Sequence, residues 1–281
     1  MNTKKKIGKM TNNPSHINQH HLLEYGLLNA CSNIFAFSTT RHGGVSHGNY
    51  ASLNCTPYTG DDPDCVQHNL YLLGSWLPHP PKEFIIPYQT HGIRTAVIDE
   101  AFLQSSAAGR HTFLQHTDAV LTPLSGLCLC ISTADCIPVL LYDRTHQVIA
   151  AIHAGWRGTV NGIVPHTLQT MQQLYGTCGT DLLAAIGPGI SLPAFEVGEE
   201  VYEAFRTAGF PMEYISQWKA STHKYHIDLW AAVRLQLQDF GIPDCQTESC
   251  GICTYSQYHD FFSARRLGIR SGRILTGIIR Y

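Results

Sequence analysis

The most informative part of the chain, residues 127–158, reads LCLCISTADCIPVLLYDRTHQVIAAIHAGWRG. Short apolar runs bounded by polar turns are typical of strands buried on both faces. Cys136 follows the first run and His153 ends the last, so each lies where a strand leaves the sheet. Sites are commonly built at strand ends. The runs cover residues 127–132, 139–142 and 148–153.

Further strands and helices are predicted on both sides of this stretch. One helix begins after Asp62-Pro63, a second over residues 159–175 is kinked or delayed by Pro165, and a third runs from Asp228 to Gly241. Because strands and helices mix without a regular βαβ order, we predict an α+β fold, a single large domain with a mixed β-sheet flanked by helices. The other strands are predicted at residues 35–39, 119–122, 182–186 and 274–279.

Composition limits the possible partners. The chain has 281 residues, 44% of them hydrophobic, and a formal net charge of −2, so it has no overall field for nucleic acid or anionic membranes. We expect residues 1–23 to form a weakly ordered arm and residues 24–281 to form the domain. Several of the ten cysteines lie inside apolar runs, and we find neither an export signal nor a membrane span. We therefore expect reduced thiols and a cytoplasmic location.

Three residues in separate phrases form a set of soft metal ligands: His91 in QTHG, Cys136 in TADC and His153 in HAGWRG. Two imidazoles and a thiolate satisfy three positions of a tetrahedral zinc and leave the fourth for water or substrate, as in catalytic sites. Each residue alone has a plainer interpretation, as a buried cysteine or a hydrogen-bonded histidine. Their spacing matches no zinc finger, so they can meet only through the fold.

An ordered series of phrases resembles the bacterial laccase-domain (YfiH-like) family from about Phe37 to Arg280. The chain departs from the family pattern at Asn49, where Pro is more frequent, and at Thr59, where Val is common. Neither position is a proposed ligand, so these departures bear on substrate preference only. The phrases are RHGGVS (41–46), YASLN (50–54), GDDP (60–63), QTHG (89–92), TADC (133–136), AIHAGWRG (151–158), AIGPGI (185–190), CTY (253–255) and FFSARR (261–266).

The resemblance implies a zinc-dependent purine nucleoside phosphorylase acting on adenosine, inosine, guanosine and methylthioadenosine, with adenosine deaminase activity. It implies that His91, Cys136 and His153 are catalytic and hold the metal, and that the partners are a purine nucleoside and phosphate. Zinc lowers the pKa of a bound water to about 7, which suits deamination of a purine. Many family members carry the older label of multicopper polyphenol oxidase, so Cu²⁺ in the same site is the alternative to Zn²⁺.

Phosphorolysis also requires groups that hold an anion. Arg157 lies in the glycine-flanked turn after His153, and Arg41 lies beside Gly43-Gly44, so both are candidates for phosphate contact or for ordinary ion pairs. Asp135 precedes Cys136 and is a candidate catalytic residue, as an orienting group or proton acceptor, although capping a turn is its commoner use.

Three classes of function remain open from the sequence. The first is the nucleoside phosphorylase and deaminase. The second is a copper polyphenol oxidase, against which we note that the chain has no His-x-His pair of the kind that multicopper clusters commonly use. The third is a Cys136–His153 thiol hydrolase or a non-catalytic nucleoside-binding protein. Cys250 and Cys253 form a lone CxxC pair, which we interpret as two reduced thiols.

Overall fold

Two six-stranded sheets organise the part of the chain that the computed structural model describes, residues 15–19 and 21–281. Both sheets are mixed: the first has one parallel pair and the second has two, and the remaining pairs are antiparallel. The first sheet contains, in spatial order, β1 (His16–Ile17), β2 (Leu22–Glu24), β3 (Ile34–Thr39), β15 (Ile274–Arg280), β7 (Leu127–Thr133) and β4 (Glu83–Ile85).

The second sheet carries the strands on both sides of the TADC and HAGWRG phrases. It contains, in spatial order, β14 (Thr247–Ser249), β10 (Leu182–Ile186), β8 (Ile137–Asp143), β9 (Val148–Ala154), β6 (Ala119–Thr122) and β5 (Thr95–Val97). A smaller antiparallel sheet contains β11 (Glu196–Val197), β13 (Lys224–Ile227) and β12 (Ser216–Lys219).

Ten α-helices occur among the described residues, most of them short. The three longest begin or end as the sequence predicts: Asp62 and Asp228 cap two of them through their side chains, and Gly176 ends the third. The helices are α1 (Gly26–Asn29), α2 (Pro63–Trp76), α3 (Glu100–Gln104), α4 (Ala107–Phe113), α5 (Trp156–Val160), α6 (Ile163–Tyr175), α7 (Glu199–Thr207), α8 (Met212–Ile215), α9 (Leu229–Asp239) and α10 (Ala264–Leu267).

The two large sheets pack face to face, and helices cover their outer faces. Leu129 of β7 and Leu140 of β8 belong to one buried cluster between the sheets. On the outer face of the second sheet, Leu141 packs with Leu168 of α6 and with residues of α9, while Leu73 of α2 packs against the first sheet. Both faces of the central strands are therefore buried, which explains why their sequences are apolar without alternation.

The predicted fold class is confirmed: mixed β-structure is flanked by helices, and the seven predicted strands occur with small differences at their ends. The strands are divided between two stacked sheets, a division that apolar runs cannot reveal. The helix predicted over residues 159–175 is split into α5 and α6, with Gly162 in the left-handed region at φ 83° and Pro165 in the first turn of α6. The delayed helix start that Pro165 predicts is thus confirmed.

The ordered sheet begins earlier than the expected domain start at residue 24. β1 and β2 include residues that we expected in the arm of residues 1–23, and Leu22 is fully buried. Leu22 packs in the core on one face of the first sheet. The polar residues that precede it in the sequence gave no indication of this burial. Residues 1–14 and 20 lie outside the described residues. Among the described helices, none has the length and hydropathy needed to cross a bilayer.

Replacing Leu140 with alanine tests the stacked-sheet core. Leu140 is fully buried, so Leu140→Ala should lower the free energy of unfolding by about 2–5 kcal/mol, through lost transfer energy and the cavity that remains. Leu174→Ala is the control, because Leu174 on α6 is 55% exposed and should change stability by less than about 0.5 kcal/mol. Urea unfolding measures both, and equal midpoints for the two variants would contradict this packing.

Candidate functional site

The three predicted ligand residues meet at one end of the central strands β8 and β9 of the second sheet. His91, Cys136 and His153 each offer a ligand atom, and these atoms all lie within 4.8 Å of one another. His91 Nε2 is 3.8 Å from Cys136 Sγ, and the His91 and His153 rings lie edge to face with centroids 4.8 Å apart. The loop after β4 supplies His91, the residue before β8 supplies Cys136, and β9 supplies His153. The fold thus brings together residues that are far apart in the sequence.

The geometry fits one metal ion. Zn–S and Zn–N bonds of about 2.3 and 2.0–2.1 Å place two tetrahedral ligands about 3.6 Å apart, close to the observed 3.8 Å between Cys136 and His91. A Cβ on Gly155 would lie 2.9 Å from both Cys136 Sγ and His91 Cδ2, so glycine keeps the space around the ligands open. His153 is buried whereas His91 is exposed, which leaves one side of the site accessible.

Asp118, which the sequence analysis did not select, holds two of the three ligands in place. Its carboxylate Oδ1 accepts a hydrogen bond from His153 Nδ1 at 2.8 Å, and its backbone carbonyl accepts one from the His153 amide at 2.7 Å. With Nδ1 occupied, Nε2 of His153 is the nitrogen available to a metal. A carboxylate behind a ligating histidine fixes the tautomer and ring orientation.

The same carboxylate organises the loop that carries His91. The backbone amides of Thr90, His91 and Gly92 donate to Asp118 at 3.2, 2.9 and 2.8 Å. His91 has a φ of 63°, a left-handed conformation that costs a non-glycine residue about 1–2 kcal/mol. Three charge-assisted hydrogen bonds to one buried carboxylate offset that cost. Asp118 therefore fixes the backbone of one ligand and the side chain of another.

The cysteine and the buried histidine each shift the pKa of the other toward the charged form. Burial opposes ionisation of Cys136, but the neighbouring His153 and His91 outweigh it and lower the pKa of Cys136 to about 6. Burial also opposes protonation of His153, but Cys136 and Asp118 raise its pKa to about 9. A metal binds the deprotonated thiolate and the neutral imidazole, so its binding would release protons from these two residues. Metal affinity should therefore fall as the pH falls.

A pocket of about 490 Å³ opens beside the three ligand residues. Its size lies within the range of sites for small molecules, about 300–1,000 Å³. Tyr58 and Tyr88 line it and pack edge to face with ring centroids 5.0 Å apart. The remaining wall includes Thr56, Ser132, Thr133, Ala134, Ile269 and Arg273.

The other predicted site residues lie outside this pocket wall. Asp135 accepts hydrogen bonds from Thr254 Oγ1 at 2.7 Å and from the Arg265 amide at 2.6 Å, so its carboxylate anchors a neighbouring loop. Arg41 donates to the carbonyls of Ala51 and Tyr258, both at 2.8 Å. Both side chains are thus engaged by the surrounding chain, and catalysis by Asp135 and phosphate contact by Arg41 stay predictions.

Arg157 is also separate from the pocket wall. Its guanidinium lies over the Trp156 ring, 4.2 Å from the centroid, and Arg157 is not among the residues that line the pocket. The structure instead places Arg273 in the wall. The only sequence signal for Arg273 is its position next to the start of β15, and nothing in the pattern of that strand connects it to QTHG or TADC.

A second group of potential ligands occurs among the described residues. Asp143, His146 and Asp181 each offer an atom within 4.8 Å of the others. Asp143 already accepts hydrogen bonds from the His146 ring at 2.9 Å and from Thr177 Oγ1 at 2.6 Å. This group lies at the opposite end of β8 from Cys136, about 20 Å along the strand. It is separate from the pocket.

Asp118→Asn tests the positioning role of the carboxylate. Asparagine has one acceptor oxygen, so the His153 ring and three backbone amides lose part of their acceptor capacity. We expect zinc affinity to fall about 10–100-fold, measured by competition with a chelator.

The matched control is Asp143→Asn. Asp143 is also fully buried and accepts a hydrogen bond from a histidine Nδ1, at 2.9 Å. This variant should lose stability while retaining zinc affinity at His91, Cys136 and His153. Equal losses of zinc affinity in both variants would argue that Asp118 acts only through general stability.

Comparisons with known proteins place the chain in one family. The family model described as "Multi-copper polyphenol oxidoreductase laccase" matches residues 35–281. The chain is 55% identical over 258 residues to a protein of Bacteroides thetaiotaomicron named "Purine nucleoside phosphorylase", covering 92% of this chain and 96% of that protein. It is 40% identical over 245 residues to "Adenosine deaminase RL5" from an unknown prokaryotic organism, covering 87% and 93%.

Solved structures agree with this placement. The crystal structure of YlmD from Geobacillus stearothermophilus superposes with a TM-score of 0.86 at 30% identity, covering 95% of this chain and 98% of that one. The match therefore extends over nearly the whole length of both chains. Sequence, fold and coverage together show that the chain belongs to the laccase-domain (YfiH-like) family, described as multi-copper polyphenol oxidoreductase laccase.

Proposed function

We propose that this chain is a zinc-dependent purine nucleoside phosphorylase that cleaves adenosine, inosine, guanosine and methylthioadenosine, deaminates adenosine and acts in the cytoplasm. One observation carries the proposal: His91, Cys136 and His153 converge beside a pocket of about 490 Å³ in a chain 55% identical to a protein named purine nucleoside phosphorylase. The relative named adenosine deaminase supports the second activity.

The pocket wall suits a flat, polar substrate. Tyr58 and Tyr88 are 36% and 38% exposed, so part of each ring is free to contact a ligand. Aromatic faces bind planar bases by stacking, with an offset or edge-to-face geometry. Ser132 and Thr133 lie in the same wall and can hydrogen-bond to sugar or anion oxygens.

Both reactions start from a nucleoside but differ in the bond that breaks. In phosphorolysis a phosphate oxygen bonds to the sugar C1′, the bond from C1′ to the base breaks, and the base leaves with the electron pair. In deamination a water oxygen bonds to C6 of adenosine, the bond from C6 to the amino nitrogen breaks, and the amino group leaves as ammonia. Zinc held by His91, Cys136 and His153 would act as a Lewis acid and lower the pKa of water. Asp118 keeps His153 in one tautomer, with Nε2 directed at the site.

The description of the family model supports the copper oxidase hypothesis. Copper(II) also binds nitrogen and sulfur ligands more strongly than zinc does. Multicopper chemistry needs several ions close together, however, and the described residues offer one His/Cys/His group beside the pocket. The other potential group, which includes Asp143, lies about 20 Å away along β8. We therefore favour the zinc phosphorylase over a multicopper oxidase.

Removing a ligand should abolish both metal binding and turnover. Cys136→Ala and His153→Ala should each lose the bound zinc and nearly all conversion of adenosine and inosine while remaining folded, because a three-ligand site tolerates ligand loss poorly. Metal analysis and chromatography of the products measure the two effects.

Cys245→Ala is the control for this experiment, because Cys245 is exposed and outside the pocket wall. It should keep zinc and activity. If Cys136→Ala retains one equivalent of tightly bound zinc, the ligand assignment is wrong. If removal of zinc leaves turnover intact while Cys136→Ala abolishes it, Cys136 acts as a nucleophile beside His153 and the hydrolase hypothesis gains.

Metal exchange separates the zinc and copper hypotheses. Protein stripped by a chelator and reloaded with zinc should regain phosphorolysis, because that reaction needs charge and geometry and no electron transfer. Copper-loaded protein should oxidise phenols, and the zinc form should not. Recovery of phosphorolysis with copper but not with zinc would overturn the zinc assignment.

A further inference from the structure

Three residues of the pocket wall have hydroxyl groups that are not paired within the protein. Thr56 Oγ1, Ser132 Oγ and Thr133 Oγ1 are buried and have no hydrogen-bond partner among the described residues. Thr56 and Thr133 are only 1% exposed. Buried hydroxyls in native proteins are nearly always hydrogen-bonded, so unpartnered ones that share a single pocket indicate a ligand or water that completes them.

Arg273 lies in the same wall and has no carboxylate partner. The eight ion pairs among the described residues do not include it. Burial lowers the pKa of its guanidinium, an effect that the nearby Cys136 and Asp135 oppose. A half-buried cation without an anionic partner is costly unless it binds an anion.

Backbone contacts hold the Arg273 side chain in place. Its terminal nitrogens donate to the carbonyls of Ile269, Ser271 and Gly272 at 3.0, 2.6 and 3.0 Å. Its Nε donates in none of the hydrogen bonds found within residues 15–19 and 21–281, so the guanidinium keeps donor capacity for a ligand. A side chain fixed in this way loses little entropy when it binds.

Asn54 joins Arg273 to Thr56. The buried Asn54 side chain accepts from the Arg273 amide at 3.1 Å and donates to the Thr56 carbonyl at 3.4 Å. On another side of the pocket, the Gln89 side chain pairs with both backbone groups of Ser132 at 2.9 and 2.8 Å. These hydrogen bonds hold the pocket wall in place and leave the hydroxyl groups of Thr56 and Ser132 unpaired.

We infer that Arg273 and the hydroxyls of Thr56, Ser132 and Thr133 form a subsite for a phosphate-type oxyanion beside the metal centre. The residues that line the pocket include no aspartate or glutamate, so the wall offers hydroxyl donors and a guanidinium charge but no carboxylate that would repel an anion. That combination suits an anion better than a sugar. Its use as the site of the attacking phosphate rests on the proposed phosphorylase function, and it takes the place of the phosphate contacts expected from Arg157 and Arg41.

Binding of inorganic phosphate to the zinc-loaded, full-length protein tests the subsite by isothermal titration calorimetry. Arg273→Met removes the charge and should raise the Kd for phosphate about tenfold or more, whereas Arg273→Lys should raise it less. Arg270→Met is the control, because Arg270 is exposed in the same loop and does not line the pocket. The Kd of Arg270→Met for phosphate should equal that of the wild type.

The hydroxyls are tested by valine, which has the shape of threonine without its donor. Thr56→Val and Thr133→Val should each raise the Kd for phosphate a few-fold. Neither should lower the Tm, because neither hydroxyl has a protein partner to lose. A drop in Tm with unchanged phosphate affinity would assign these hydroxyls to the fold and overturn their role here. These variants also decide the matter if Arg273→Met fails to fold.

The products formed from adenosine test the subsite separately from the proposed function. In Arg273→Met, the rate of adenine formation should fall and the KM for phosphate in that reaction should rise. The formation of inosine uses no phosphate and should continue. A parallel loss of both products at unchanged phosphate affinity overturns the subsite. If the wild type converts no nucleoside but its phosphate binding depends on Arg273, the subsite stands and the proposed function fails.

Discussion

The buried carboxylate of Asp118 is the interaction on which the site depends. It accepts hydrogen bonds from three consecutive amides of the QTHG loop and from the His153 ring. A buried carboxylate without partners would be strongly destabilising, and here its partners are the groups that must be positioned. Burial favours protonation of Asp118, but His153 and the loop amides outweigh it and lower the pKa of this carboxyl. The stability of the charge and the geometry of the ligands therefore have the same cause.

The stacked sheets supply the rigidity that this arrangement requires. β7, β8 and β9 are buried on both faces, so their ends cannot shift without disturbing the core between the sheets or the core under the helices. Cys136 and His153 are attached to these strands, and β6 begins next to Asp118. Cys136 directly precedes β8, whereas His91 lies on a longer loop between β4 and β5, and Asp118 ties that loop to β6 through three backbone hydrogen bonds.

Several conspicuous motif residues serve the frame around the pocket. Arg41 ties residues 41–51 to the chain near Tyr258, and Asp135 joins the TADC turn to Thr254 and Arg265. Gly155 keeps space for the ligands because any side chain there would strike Cys136. The RHGGVS and HAGWRG phrases therefore reflect packing constraints as much as chemistry. Of the unpartnered hydroxyls in the pocket wall, Thr133 belongs to the TADC phrase, whereas Thr56 and Ser132 lie outside the quoted phrases.

Strands, helix caps and the three ligand residues could be predicted from the chain alone, because apolar runs, Asp caps and soft ligands at strand ends are local signals. The division of the strands into two sheets could not, because a strand is equally apolar under a sheet or under a helix. Asp118 and Arg273 were also missed. Their roles arise from partners distant in sequence: Asp118 meets His153 across two paired strands, and Arg273 meets Thr56 through Asn54. Such contacts exist only when the chain is folded, since no local pattern encodes which polar group will face which partner.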